Sequence, residues 1–148
     1  MFRMTLAAGA TAVALALAGQ ATAAEIQVKM LDRGAQGVMV FEPSSANFKV
    51  GDTVRFLPTN PGHNVETIST MLPPGATPVK GAMNQEVVVK FTKPGVYGFK
   101  CLPHWGFGMV FVAKVGDGSP NLAAAQAAAA KTPPMTKKRL AAAFAALK

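Results

Sequence analysis

The nine residues Cys101-Leu-Pro-His-Trp-Gly-Phe-Gly-Met109 hold the chain's single cysteine, one of its two histidines and a methionine. Thiolate, imidazole and thioether are soft or borderline donors, so a loop that gathers all three points to a transition metal. The other histidine, His63, stands far upstream in Pro61-Gly62-His63-Asn64. Two imidazoles, one thiolate and one weak thioether form the trigonal set that suits copper cycling between Cu(II) and Cu(I). The sulfur stabilises Cu(I), imidazole serves both states, and a long bond to methionine tunes the potential. Zinc ordinarily takes more Cys or His and leaves thioether out. Each residue also has a plainer reading. Cys101 alone is equally a buried small hydrophobe, His63 a surface turn residue, His104 a packing partner of Trp105, and Met109 the first residue of an apolar strand. The pattern Cys-x2-His-x4-Met with one upstream His favours the metal.

Short strands separated by turn residues must position these groups. Ile26–Met30 alternates apolar and polar residues, the period of a half-buried strand. Val38–Phe41 is more continuous, and Asn47–Val50, Thr53–Leu57, Gln85–Phe91, Val96–Lys100 and Met109–Val115 also read as strands, with Gly and Pro between them. This spacing predicts an antiparallel sandwich or barrel, whose loops gather at one end and can bring His63 to the Cys101 loop. Residues 67–82 form a long irregular connection. Composition changes at Gly116-Asp-Gly-Ser119, which divides a β-sandwich over 24–118 from a helical extension over 119–148. Ser119-Pro120 and Thr132-Pro133 are helix start signals. Leu140, Phe144 and Leu147 recur on one helical face.

The first 23 residues read as a secretory signal peptide: Arg3, an apolar run from Leu6 to Ala18, and the small-x-small site Ala21-Thr22-Ala23. The mature chain then begins at Ala24 or Glu25 and is expected in a bacterial periplasm, free of the membrane. In an oxidising compartment a lone thiol has no partner in its own chain, which favours a bound metal. Fifteen Lys and Arg stand against seven Asp and Glu. That balance implies acidic partners; the basic residues lack the clustered, aromatic-interleaved pattern of a nucleic-acid surface.

Met39-Val-Phe-Glu-Pro43, Gly51-Asp-Thr-Val54, Gly62-His-Asn-Val-Glu66, the ligand loop and Val115-Gly-Asp117 together carry a family resemblance. From about Glu25 onward the chain resembles the pseudoazurins, small blue-copper proteins of the cupredoxin family. The resemblance implies a Greek-key β-sandwich of about eight strands with two C-terminal helices. It also implies a monomeric electron carrier, with one type 1 copper ion on His63, Cys101, His104 and Met109. Partners implied are copper-containing nitrite reductase and c-type cytochromes. Three positions depart from the family pattern: Trp105 replaces a common tyrosine, Phe107 a methionine, and Pro61 a lysine. The first two enlarge the aromatic surface beside His104; the third thins the basic docking ring.

Around the ligands, Asn64 is expected to tie its loop to the Cys101 loop. Pro103 lacks an N–H and so cannot donate to the sulfur. Met39 is expected beside the imidazole of His104, or in the core. Electrons are expected to pass through the edge of His104, within an apolar patch of Pro61, Pro103, Trp105 and Phe107. Arg33, Lys80 and Lys100 flank it at basic family positions, whereas Lys137-Lys138-Arg139 reads as a solvated helix face. No acid–base pair accompanies the metal, so no enzyme is expected. A copper chaperone or storage module is the alternative, but its methionine or cysteine arrays are missing here.

Overall fold

The computed structural model describes residues 21–148, so the expected signal segment, up to residue 20, lies outside the described residues. Eight strands form two four-stranded sheets. One sheet contains β1 (Glu25–Gly34), β2 (Gly37–Glu42), β4 (Thr53–Leu57) and β6 (Val87–Lys90), in the order β2-β1-β4-β6. The other contains β3 (Ser45–Phe48), β5 (Glu66–Thr67), β7 (Gly95–Lys100) and β8 (Val110–Val115), in the order β3-β8-β7-β5. The helices α1 (Leu122–Ala129) and α2 (Pro134–Ala145) follow.

The sheets are mixed, not purely antiparallel: β1 pairs parallel with β4, and β3 parallel with β8. The chain crosses between sheets after β2 and returns after β3, which sets β4 beside β1 in the same direction. The two-residue strand β5 borders the irregular connection and is too short for periodicity to reveal.

Phenylalanine dominates the interior between the sheets. Phe41, Phe56, Phe99 and Phe111 are buried there with Val28, Met30 and Val54. Phe56 makes an edge-on contact with Phe111 at a centroid distance of 5.5 Å. β8 explains itself as a near-continuous apolar run because both its faces are covered. Phe111, Ala113 and Val115 face the sandwich interior, while Val110 and Val112 join Leu140, Ala125 and Ala143 in a second cluster under the helices. Phe144 and Leu147 pack on the rim of that cluster.

The first helix begins two residues beyond the expected start. Its N-cap is Asn121, not Ser119, and the cap side chain makes no capping bond. Asn121 instead accepts from Val96 N–H and donates to Val96 C=O, both at 2.8 Å, which docks α1 on β7. Thr132 likewise spends its hydroxyl on Ala129 C=O, and Pro133 caps α2.

At the end of the sandwich from which β4 starts, the Asp52 carboxylate accepts from Lys49 N–H at 2.7 Å and Ala24 N–H at 2.8 Å. These bonds hold its carboxyl below the usual carboxylate range. Asp52→Ala is expected to cost about 1.5–3 kcal/mol at neutral pH, the range for bonds to a charged acceptor. Because the folded pKa is depressed, that stabilisation is complete above the unfolded value of about 3.9 and disappears as pH falls through the folded value. Urea unfolding of both proteins at pH 7 and pH 3 checks that the gap narrows in acid.

Candidate metal centre

The ligand loop leaves β7 at Lys100 and re-enters the sheet at Val110. Two backbone bonds close it: Cys101 N–H to Met109 C=O at 3.0 Å, and Met109 N–H to His104 C=O at 3.2 Å. Between them a 3-10 turn over Trp105–Phe107 ends at Gly108, whose φ of 76° is left-handed. The His63 loop is fixed from outside. Asn84 accepts from Gly62 N–H at 2.6 Å, and its own N–H donates to His63 C=O at 2.8 Å. Asn64 then bridges the loops: its Oδ1 accepts from Leu102 N–H at 2.8 Å while its Nδ2 donates to Gly81 C=O at 3.2 Å.

The result is a convergence of donors from distant parts of the chain. His63 Nδ1 and His104 Nδ1 lie 3.1 Å apart, and Cys101 Sγ is 3.8 Å and 3.6 Å from them. A triangle with those sides has its centre about 2.0 Å from every corner, the length of a bond from imidazole nitrogen to a first-row metal. The donor set therefore fits a metal without rearrangement. Among the described residues, these three form the cluster of His, Cys, Asp and Glu able to hold an ion. Cys101, His63 and Met109 are all fully buried, and His104 is half-buried.

Protonation favours the same reading. Burial pushes the Cys101 thiol up, against smaller opposing effects of the Asn64 and His104 amides. Burial, and then the nearby His63, push His104 down, so its imidazole is neutral at physiological pH. A metal must displace the thiol proton, and its charge compensates the thiolate. Pro103 contributes no N–H, but the neighbouring amides of Asn64 and His104 do face the sulfur.

Asp32 is the group that sequence reasoning missed. Its Oδ1 stands 2.8 Å from His63 Nε2, so that nitrogen carries the proton and Nδ1 keeps its lone pair for the metal. Within β1 it reads as one more exposed acid. The pairing exists because Asn60 accepts from Asp32 N–H at 2.9 Å and holds the two segments together.

The remaining candidates differ in burial and in what they touch. Met39 is half-buried against the core that contains Cys101 and Met109, with φ at 52°. Phe107 is 52% exposed, its ring centroid 6.0 Å from that of His104, and Pro61 and Pro103 are exposed. Trp105 lies partly in the second cluster with Lys100 Nζ 5.4 Å from its ring centroid. Lys100 also pairs with Glu66 at 3.4 Å, so its charge is partly satisfied within the fold. Arg33 and Lys80 are exposed. Lys137 and Lys138 face solvent, but Arg139 does not: its guanidinium reaches Val38, Met39 and Gly108 carbonyls.

Comparison with known proteins agrees with this chemistry. The family of copper-binding proteins that includes plastocyanin and azurin matches residues 28–116. Pseudoazurin of Methylorubrum extorquens is 50% identical over 95% of this chain and 93% of its own length. That of Paracoccus pantotrophus is 44% identical over 95% and 94%. The crystal structure of pseudoazurin from Methylobacterium extorquens superposes with a TM-score of 0.78 at 52% identity, covering 82% of this chain and 97% of that one. Pseudoazurin from Hyphomicrobium denitrificans gives 0.76 at 39% identity, over 82% and 96%. A β-sandwich carrying a trigonal His, Cys, His donor set beside a buried methionine, with relatives this similar along nearly its whole length, belongs to the plastocyanin/azurin family of copper proteins, among the pseudoazurins, which are blue-copper electron-transfer proteins.

Proposed function

We propose that the chain works as a monomeric periplasmic carrier of single electrons, without catalysis of its own, between acidic redox proteins such as a copper nitrite reductase or a c-type cytochrome. His63, Cys101, His104 and Met109 hold the copper. When bound, that ion supplies the one-electron Cu(II)/Cu(I) couple. The observation that carries the reading is the donor triangle, whose centre suits a metal before any side chain moves. Little movement between states means little reorganisation during transfer.

The residues divide the remaining work. His63 is sealed from solvent and held by Asp32; the half-buried His104 offers an edge to a partner. Phe107, whose ring centroid lies 6.0 Å from that of His104, and the exposed Pro61 and Pro103 on the two ligand loops offer apolar surface that excludes water at close approach. Arg33 and Lys80 act at longer range, raising the encounter rate more than the lifetime of the complex.

Two measurements test the proposal. The protein loaded with Cu(II) should show a reversible one-electron wave in cyclic voltammetry. Stopped-flow transfer to an acidic nitrite reductase or cytochrome should slow as ionic strength rises. Arg33→Glu with Lys80→Glu should lower the on-rate roughly tenfold at low salt. A rate indifferent to salt and to charge reversal removes acidic docking.

Asp32 makes a separate prediction. Its carboxylate favours positive charge on the His63 side and thus the oxidised site. Asp32→Asn keeps an acceptor but removes the charge. The reduction potential is expected to rise, by about 40 mV if the difference between states is roughly 1 kcal/mol. Voltammetry of the two proteins at pH 7 reads it directly.

A further inference from the structure

Four backbone carbonyls on two separate segments, those of Val38, Met39, Trp105 and Gly108, accept hydrogen bonds from helix α2. Thr136, fully buried, donates its hydroxyl to Trp105 C=O at 2.5 Å. Arg139 donates through Nη1 to Met39 C=O at 2.6 Å and Gly108 C=O at 3.4 Å, and through Nη2 to Val38 C=O at 2.8 Å. Trp105 and Gly108 are the two ends of the turn that follows His104; Met39 precedes Val40 on β2, across from the loop. One face of a single helix therefore grips both segments.

Three features separate this grip from ordinary packing. A guanidinium partly withdrawn from water costs free energy unless it is matched, and burial does depress the Arg139 pKa. Among the described residues no carboxylate forms an ion pair with it; its N–H groups are spent on carbonyls. Met39 has φ at 52°, a conformation that non-glycine residues rarely adopt and that persists only where neighbours hold it. Arg139 bonds the carbonyls of both Val38 and Met39, on either side of that residue's amide and α-carbon. Finally, the fit is close at the loop. A β-carbon built on Gly108 would lie 2.9 Å from Met135 C=O oxygen and 2.9 Å from Arg139 Cδ.

We propose that α2 is a positioning element for the copper site, in which Thr136 and Arg139 set the His104–Met109 turn against Met39 before the metal arrives. The inference rests on the copper reading for its consequence but not for its first test. The hydroxyl of Thr136 and the fork of Arg139 fix the turn by its backbone, so His104 and Met109 are limited in how far they move when the ion changes charge. Leu140, fully buried on the same helix, anchors the clamp independently of both polar residues.

The experiment uses Thr136→Val and Arg139→Met, singly and together, since both keep side-chain bulk. In metal-free protein, amide exchange of Phe107, Gly108 and Met109, whose N–H groups are hydrogen-bonded within the turn, should quicken at least about tenfold in the double variant, with β4 amides unchanged. Thr136→Ser should restore the wild-type pattern at its half of the clamp. After copper loading, the double variant should show a shifted reduction potential and an altered ratio of thiolate charge-transfer bands. Unchanged loop exchange overturns the clamp, as does faster exchange that spreads equally to β4. A wild-type protein that binds copper without a thiolate band would instead refute the copper reading and leave the exchange result standing.

Discussion

Cys101→Ser will abolish the intense visible absorption of the copper-loaded protein and, with it, useful electron transfer. A serine hydroxyl is hard, poorly ionised at neutral pH and cannot supply the thiolate charge-transfer transition or the soft bond that stabilises Cu(I). The position tolerates the change sterically, because serine is the smaller residue at a fully buried site. Loss is therefore chemical and should approach completeness: no visible band, and a reduction potential displaced far enough that partner turnover falls by orders of magnitude. Absorption spectra after Cu(II) addition check the first point, and circular dichroism of the metal-free variant checks that the sandwich is retained. A blue colour in Cys101→Ser would mean that the sulfur is not a ligand.

Gly108→Ala is the second large effect, and it comes from backbone rather than from donors. Gly108 sits at φ 76°, ψ 34°, where an L side chain is strained by roughly 1–2 kcal/mol. Its new methyl would also press on the C=O oxygen of Met135, an atom of helix backbone that has no rotamer to escape into. Together the costs are expected to reach about 2–4 kcal/mol, and the loop must move off α2 to relieve them. Thermal unfolding of metal-free protein should show a clearly lowered Tm. Copper should then leave the loaded variant faster on dialysis against a chelator. Gly106→Ala is the control, because a β-carbon there meets nothing within 4 Å.

These two residues illustrate what the sequence makes legible. The ligands stand out because their types are scarce: one cysteine and two histidines leave almost no other trigonal set. Strands with clear alternation, such as β1 and β4, are equally plain, since one face is buried and the other is not. What fails is everything decided by long-range pairing. Asp32 looks like solvent-facing polarity until β1 is laid beside the His63 loop. Parallel pairing of β1 with β4 leaves no local mark on either strand. Ser119 and Thr132 carry capping chemistry, yet the first helix begins at Leu122, because Asn121 is engaged with Val96 across the core. Arg139 belongs to a basic run that reads as solvated, and only the packing of Leu140 turns it inward. Local propensity proposes such roles and tertiary contacts reassign them.

β8 starts at the ligand loop and runs some 15–20 Å away from it, at about 3.3 Å per residue. At its far end Lys114 Nζ donates to the Lys148 carbonyl oxygen at 2.6 Å, and Lys148 N–H donates to Asn47 at 3.2 Å. Lys148 is thus stitched to the end of the sandwich opposite the ligand loop. A surface tether, dye or electrode linker joined to Lys148 would present the His104 edge outward into solution, whereas wiring through that same linker would have to tunnel the length of β8.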